Sequence, residues 1–294
     1  MAIHALVATI ILLPLVITDI PLIADYPNHL ARMHVLGNLT GNFFFQECCA
    51  VQFDFLPNLA MDLLVPVLAK LMSLPTAGQC FLLLTLISTL GSVALLHRVL
   101  FNLWSFYPLL AAFFLYHGSL MAGMVNFSLG IGLVPAALAL WIAGRETSFA
   151  RRLFLGSVVA LVLYFCHLVA LGIYALALLG YELMRMYDQL HAGTGLRRIG
   201  TDMAIAGATG ILPLCLFVRL VRGEGPVEGS LLDAATSSLS WGTWSWKAKA
   251  LIAPLSNYNL PLDLLTFGAL AGLAIWGWWS GRLIIERRMA ASLG

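Results

Sequence analysis

The chain has 294 residues, of which 61% are hydrophobic and 10% charged, and its mean hydropathy is +0.91. A soluble domain carries about 45–50% apolar and about 25% charged residues, and a soluble fold of this size could not hide so much apolar surface. The composition excludes a soluble enzyme, a disordered chain, a disulfide-stapled secreted domain and a nucleic-acid binder. The formal charge of +2 says nothing about partners. Apolar residues come in long blocks, not in the short alternating segments of a barrel. The expected fold class is therefore all-α, a polytopic integral membrane helical bundle.

A membrane span needs about 20 apolar residues. No basic stretch precedes the first apolar block, which is too long for a cleaved signal, so residues 5–23 are expected to be a retained first span. A more polar segment, 24–78, follows. Span 2 is expected at 79–96, a short span 3 at 107–116 and span 4 at 127–143. The block 152–186 has 35 residues and as one helix would reach about 50 Å, so it divides at His167 into spans 5 and 6. Span 7 is expected at 204–218 and span 8 at 262–280. About eight spans in a single domain, 1–294, is the simplest organisation. No repeat is visible.

The basic residues orient this map. With the N-terminus in the cytoplasm, the inside receives ten, Arg98, Arg145, Arg151, Arg152, Arg185, Arg197, Arg198, Arg282, Arg287 and Arg288, and the outside six. That bias follows the positive-inside rule. It leaves two long extracytoplasmic segments, 24–78 and 219–261, and suggests that the working face is outside.

In the first of these, Asp25-Tyr26-Pro27-Asn28-His29 reads as a capped helix start. Helical spacing puts His29 and Arg32 on one side, with Asp25 at the helix mouth. A carboxylate, an imidazole and a guanidinium there can supply a base, a proton partner and an anion clamp. The plainer reading is an interfacial helix with a solvated polar face. Asp19 sits before Pro21 and is either intramembrane or interfacial. Pro57, Pro66 and Pro75 make 57–74 a second interfacial helix, carrying Asp62 and Lys70.

His117, Asn126 and His167 fall near the outer ends of spans 3, 4 and 5. They either line one cavity or are satisfied structural residues. Gly118, Gly123, Gly130 and Gly132 surround Asn126 and suit close helix packing. Glu182 lies one turn from Arg185 and is expected to pair with it. In the second outer segment, Arg219 and Arg222 can bind phosphate. Trp244, with Trp241 and Trp246, can stack on a sugar face or a lipid isoprene, or form an interfacial belt. The five cysteines, Cys48, Cys49, Cys80, Cys166 and Cys215, show no zinc spacing. The residues predict no metal ligands, although a divalent metal ion is compatible with them.

The acidic residue directly after span 1, the outer segment with two helices, the phrase Met124-Val125-Asn126-Phe127 and His167-Leu168 leading to Gly180-Tyr181-Glu182-Leu183 resemble the GT-C class of polytopic membrane glycosyltransferases. The resemblance covers about the first 200 residues and implies an extracytoplasmic active site. It also implies transfer of a sugar from a polyprenyl-phosphate carrier to an acceptor, with Asp25 as base and His29 beside it. Arg219 or Arg222 would then meet the carrier phosphate, a placement that rests on charge and side alone. The chain is short for that class, and its loop lacks a second acidic residue beside Asp25. A non-catalytic membrane assembly subunit and a lipid or solute transporter are the alternatives. The implied partners are membrane lipid and the polyprenyl-phosphate-linked sugar, with no nucleic acid. Oligomeric state is not readable.

Overall fold

The computed structural model describes residues 2–51, 54–193, 195–222 and 260–281. Among them there are helices and turns and no strand. Among the described residues, six helical runs are long and apolar enough to cross a membrane, one of them the run Leu196–Leu220 that bends at Gly210, which fits an integral membrane protein.

The first expected span is a shorter helix, α1 (Ala2–Val16), with Pro14 inside it. Its 15 residues reach about 22 Å, less than a membrane core of about 30 Å. Asp19 and Ile20 lie beyond it in an exposed bend. The segment that follows holds α2 (Tyr26–Asn38), α3 (Phe43–Cys48) and α4 (Ala60–Leu68). At nine residues, α4 is about 13 Å long and too short to cross. It buries Met61 and Val65 and leaves Leu63, Leu64 and Val67 exposed.

Next comes α5 (Leu74–Phe101), capped by Ser73, whose hydroxyl accepts from the Thr76 amide. It stops at Asn102, a left-handed residue with φ 53°. The chain then returns to the opposite end of the bundle, where Gly123 meets Asp25. The expected third span is on this return, and it is an eight-residue 3-10 helix, Tyr107–Phe114, not an α-helix. Pro108 near its start removes one backbone donor. A 3-10 run this long is uncommon, and its packing against α5 and α1 supports it.

After the short α6 (Gly118–Met121) comes α7 (Val125–Ala143), the most buried of the spans. It packs against α4, α5, α8 and α9. Glycine permits these approaches: Gly130 lies against Ala170 and Cys166, and Gly132 against Thr89. The expected division at His167 is present: α8 (Phe149–Cys166) ends and α9 (Leu168–His191) begins there. The His167 backbone is extended, and its Nδ1 accepts from the Val169 amide at 3.2 Å. The seventh expected span is two helices, α10 (Leu196–Thr209) and α11 (Ile211–Val221), divided at Gly210. The last, α12 (Leu260–Trp279), is exposed along nearly its whole length.

The end of the bundle opposite Asp25 is closed by charge. Asp202 accepts from Arg152 Nη1 at 2.8 Å and from Arg185 Nη2 at 2.6 Å. Glu182 accepts from Arg185 Nη1 at 3.0 Å, the expected pairing, and from the Trp141 indole at 2.7 Å. The network ties α7, α8, α9 and α10 together. A buried pair costs desolvation, so it serves register more dependably than net stability. Removing one member strands the other.

Candidate functional site

The site begins where α1 has ended and α2 has not yet started. The Ala24 amide donates to the Met121 carbonyl at 2.9 Å. Gly123 lies directly under Asp25: a Cβ built on it would stand 2.5 Å from the Asp25 Cβ, 2.8 Å from its N and 2.9 Å from its Cα. Gly123 also has φ +97°, a conformation that side chains oppose. This turn fixes the Asp25 backbone from below and leaves its carboxylate about half exposed.

Asn28 Nδ2 donates to Asp25 Oδ1 at 2.7 Å. His29 Nε2 lies 3.5 Å from Asp25 Oδ2 and 3.0 Å from the Gly123 carbonyl oxygen. A carbonyl oxygen only accepts, so Nε2 carries a hydrogen in this arrangement. Asp25 and His29 are therefore brought together as their spacing of four suggests. The pair presents an accessible carboxylate that accepts from the Asn28 amide and has the His29 ring nitrogen 3.5 Å away.

The other expected site residues are distributed along the same end. Arg32 forms an ion pair with Asp62 of α4, its Nε donating to Oδ1 at 2.8 Å. Asn126 is buried. Its Oδ1 accepts from the Met61 amide and its Nδ2 donates to the Asn58 carbonyl, both at 2.8 Å. Its amide is spent anchoring α4, with Asn58 at φ 68°. The His167 ring meets Phe127 edge-on at 5.3 Å. His117 caps α6 through Nδ1 and faces a different space. That space is a cavity of about 260 Å³ walled by Thr85, Leu86, Phe114, Phe127 and Ser128 among others. Burial lowers the pKa of His167 from 6.5, so it is neutral near pH 7.

Arg219 Nη1 lies 3.5 Å from Asp54 Oδ1, and Arg222 is exposed at the end of α11. Trp244 and most of the segment 219–261 lie outside the described residues. The start of α7 is the hub: Gly123 holds Asp25 and His29, Asn126 holds α4, and Phe127 touches His167. The roles of Gly123, Asn58, Asp54 and Asp62 were missed by sequence reasoning. The one available signal was the glycine directly before Met124-Val125-Asn126.

Among the described residues, no group of three or more histidine, cysteine or acidic side chains is placed to hold a metal. Asp25 stands with an amide and an imidazole instead of a second carboxylate. That donor set does not fit a hard divalent cation, which gathers several oxygen ligands. Compared with known proteins, the chain matches no family model, no curated protein and no solved structure.

Proposed function

We propose that this protein is an integral membrane glycosyltransferase that moves a sugar from a polyprenyl-phosphate carrier to an extracytoplasmic acceptor, with Asp25 as base. The observation that carries this reading is the Asp25 carboxylate. It is accessible, fixed by the Gly123 turn and held by the Asn28 amide, with the His29 imidazole beside it. In the proposed step, Asp25 accepts the proton of an acceptor hydroxyl as its oxygen bonds to the sugar carbon. The bond from that carbon to the carrier phosphate breaks, and the phosphate leaves with the electron pair. Positive charge stabilises the departing phosphate. Arg219 is engaged with Asp54, so the exposed Arg222 is the better candidate, with Trp244 as a stacking surface in the same segment.

The topology that goes with this reading has eight crossings: α5, α7, α8, α9 and α12, the α10–α11 pair, α1 with the residues that follow it, and the return through residues 102–124. The N-terminus is cytoplasmic and α2 and α4 lie at the outer interface, in a bacterial inner membrane. Arg98, Arg145, Arg151, Arg152, Arg185, Arg197 and Arg198 support that orientation, because they gather at or near the end away from Asp25. A second reading, a non-catalytic assembly subunit, is favoured by the pairing of Arg32 and Arg219 with carboxylates.

The test is turnover in proteoliposomes supplied with labelled polyprenyl-phosphate sugars. Asp25→Asn should fold normally and lose about 10²-fold or more of the wild-type rate. Wild-type protein that neither binds nor turns over any such carrier refutes the transferase and leaves the assembly reading.

A further inference from the structure

Among the described residues, the charge cluster at the opposite end has more arginines than carboxylates. Arg145, Arg152 and Arg185 face only Glu182 and Asp202 among the described residues. Arg152 is over nine-tenths buried, and it uses only Nη1, on Asp202. Its Nε and Nη2 are buried with no hydrogen-bond partner, and so is Arg145 Nη2. Nε and Nη2 form one edge of the guanidinium, the fork that grips two oxygens of a phosphate or carboxylate. A buried fork without an acceptor, in a cluster of three arginines and two carboxylates among the described residues, has the chemistry to take an anion.

A cavity lies against this arginine, lined by Trp141, Gly144, Thr147, Arg152, Leu155 and Tyr174 among others. Its volume is about 20 Å³, room for about one oxygen atom. Its wall also includes Leu140 and Leu155, which are exposed on the flanks of the spans α7 and α8. The groove is therefore charged at its head and apolar where it meets lipid.

We propose that this groove binds one anionic phospholipid from the adjoining leaflet, its phosphate on the free edge of Arg152 and a chain along Leu140 and Leu155. The apolar wall selects a lipid over free phosphate, and the uncompensated charge selects an anionic headgroup. The fork is covered by side chains, so a phosphate oxygen reaches it by a rotamer change at the mouth. This site is at the other end of the bundle from Asp25 and does not depend on the transferase reading.

The test uses the full chain, purified and delipidated, in native mass spectrometry. The probes are dioleoyl-phosphatidylglycerol, dioleoyl-phosphatidylcholine and inorganic phosphate. Wild type should retain one phosphatidylglycerol at least about tenfold more tightly than phosphatidylcholine, and inorganic phosphate should not displace it. Arg152→Lys keeps a charge for Asp202 but loses the fork, and should bind phosphatidylglycerol about tenfold more weakly. Should that variant not fold, Leu140→Trp, exposed and outside the ion network, fills the groove and should weaken binding comparably. Equal retention of the two lipids, displacement by inorganic phosphate, or wild-type binding by the folded variants overturns the proposal.

Discussion

Gly123 is the position where one added methyl group should do most damage at the Asp25 end. Gly123→Ala imposes two costs. The first is conformational, since φ +97° is sparsely populated for any residue with a Cβ, at about 1–3 kcal/mol. The second is steric: the new Cβ would stand 2.5 Å from the Asp25 Cβ and 2.8 Å from its backbone nitrogen. Neither neighbour is a flexible side-chain end, and overpacking of this kind costs about 1–3 kcal/mol. Together they give roughly 2–6 kcal/mol, or a fall in Tm of roughly 3–10 °C for a chain this large. Thermal unfolding in detergent measures it. Gly91→Ala is the control, because a Cβ there meets nothing within 4 Å and alanine suits a helix better than glycine. If Gly123→Ala unfolds at the same temperature as Gly91→Ala, the turn does not hold Asp25 as argued.

Three further outcomes are expected. Trp141→Phe keeps a ring under Arg152 but loses the indole N–H that reaches Glu182. It should destabilise by about 1.5–3 kcal/mol, and a change under about 0.5 kcal/mol in the same unfolding assay would argue against a structural bond. Asn126→Ala orphans the Met61 amide and the Asn58 carbonyl, at roughly 2–5 kcal/mol. Limited proteolysis should then cut within residues 39–59 faster than in wild type, and an unchanged rate would remove Asn126 as the anchor of α4. His167 is held below its ordinary pKa of 6.5 by burial. Its contribution is complete above 6.5 and is lost as pH falls from there toward the lower folded value, because the unfolded chain takes the proton first. His167→Asn keeps a capping acceptor without the titration, so Tm should drop less between pH 7.5 and pH 5.5 than in wild type. Parallel pH profiles would show that His167 does not titrate on unfolding.

Local pattern set most of the elements. The block 152–186 had to divide because one straight helix through it would overreach the membrane, and His167 is a polar residue able to cap the helix that follows. The pairs Asp25–His29 and Glu182–Arg185 were legible because helical spacing alone places them together. The first and third spans were less legible. Hydropathy counts apolar residues, but it does not see that Pro14 and Pro21 attend the end of α1 or that 107–114 winds as a 3-10 helix against α5.

What the sequence by itself determined is an all-helical membrane chain and roughly where most of its long helices lie, since burial from water and backbone hydrogen bonding act residue by residue. Only the tertiary structure decided that Gly123 lies under Asp25, that Asp62 and Asp54 take up Arg32 and Arg219, and that Asp202 joins Arg152 to Arg185. Those partners are 98, 30, 165, 50 and 17 residues apart in sequence. The physical reason is that one-dimensional periodicity specifies which face of a helix is apolar, but not which helix it will meet.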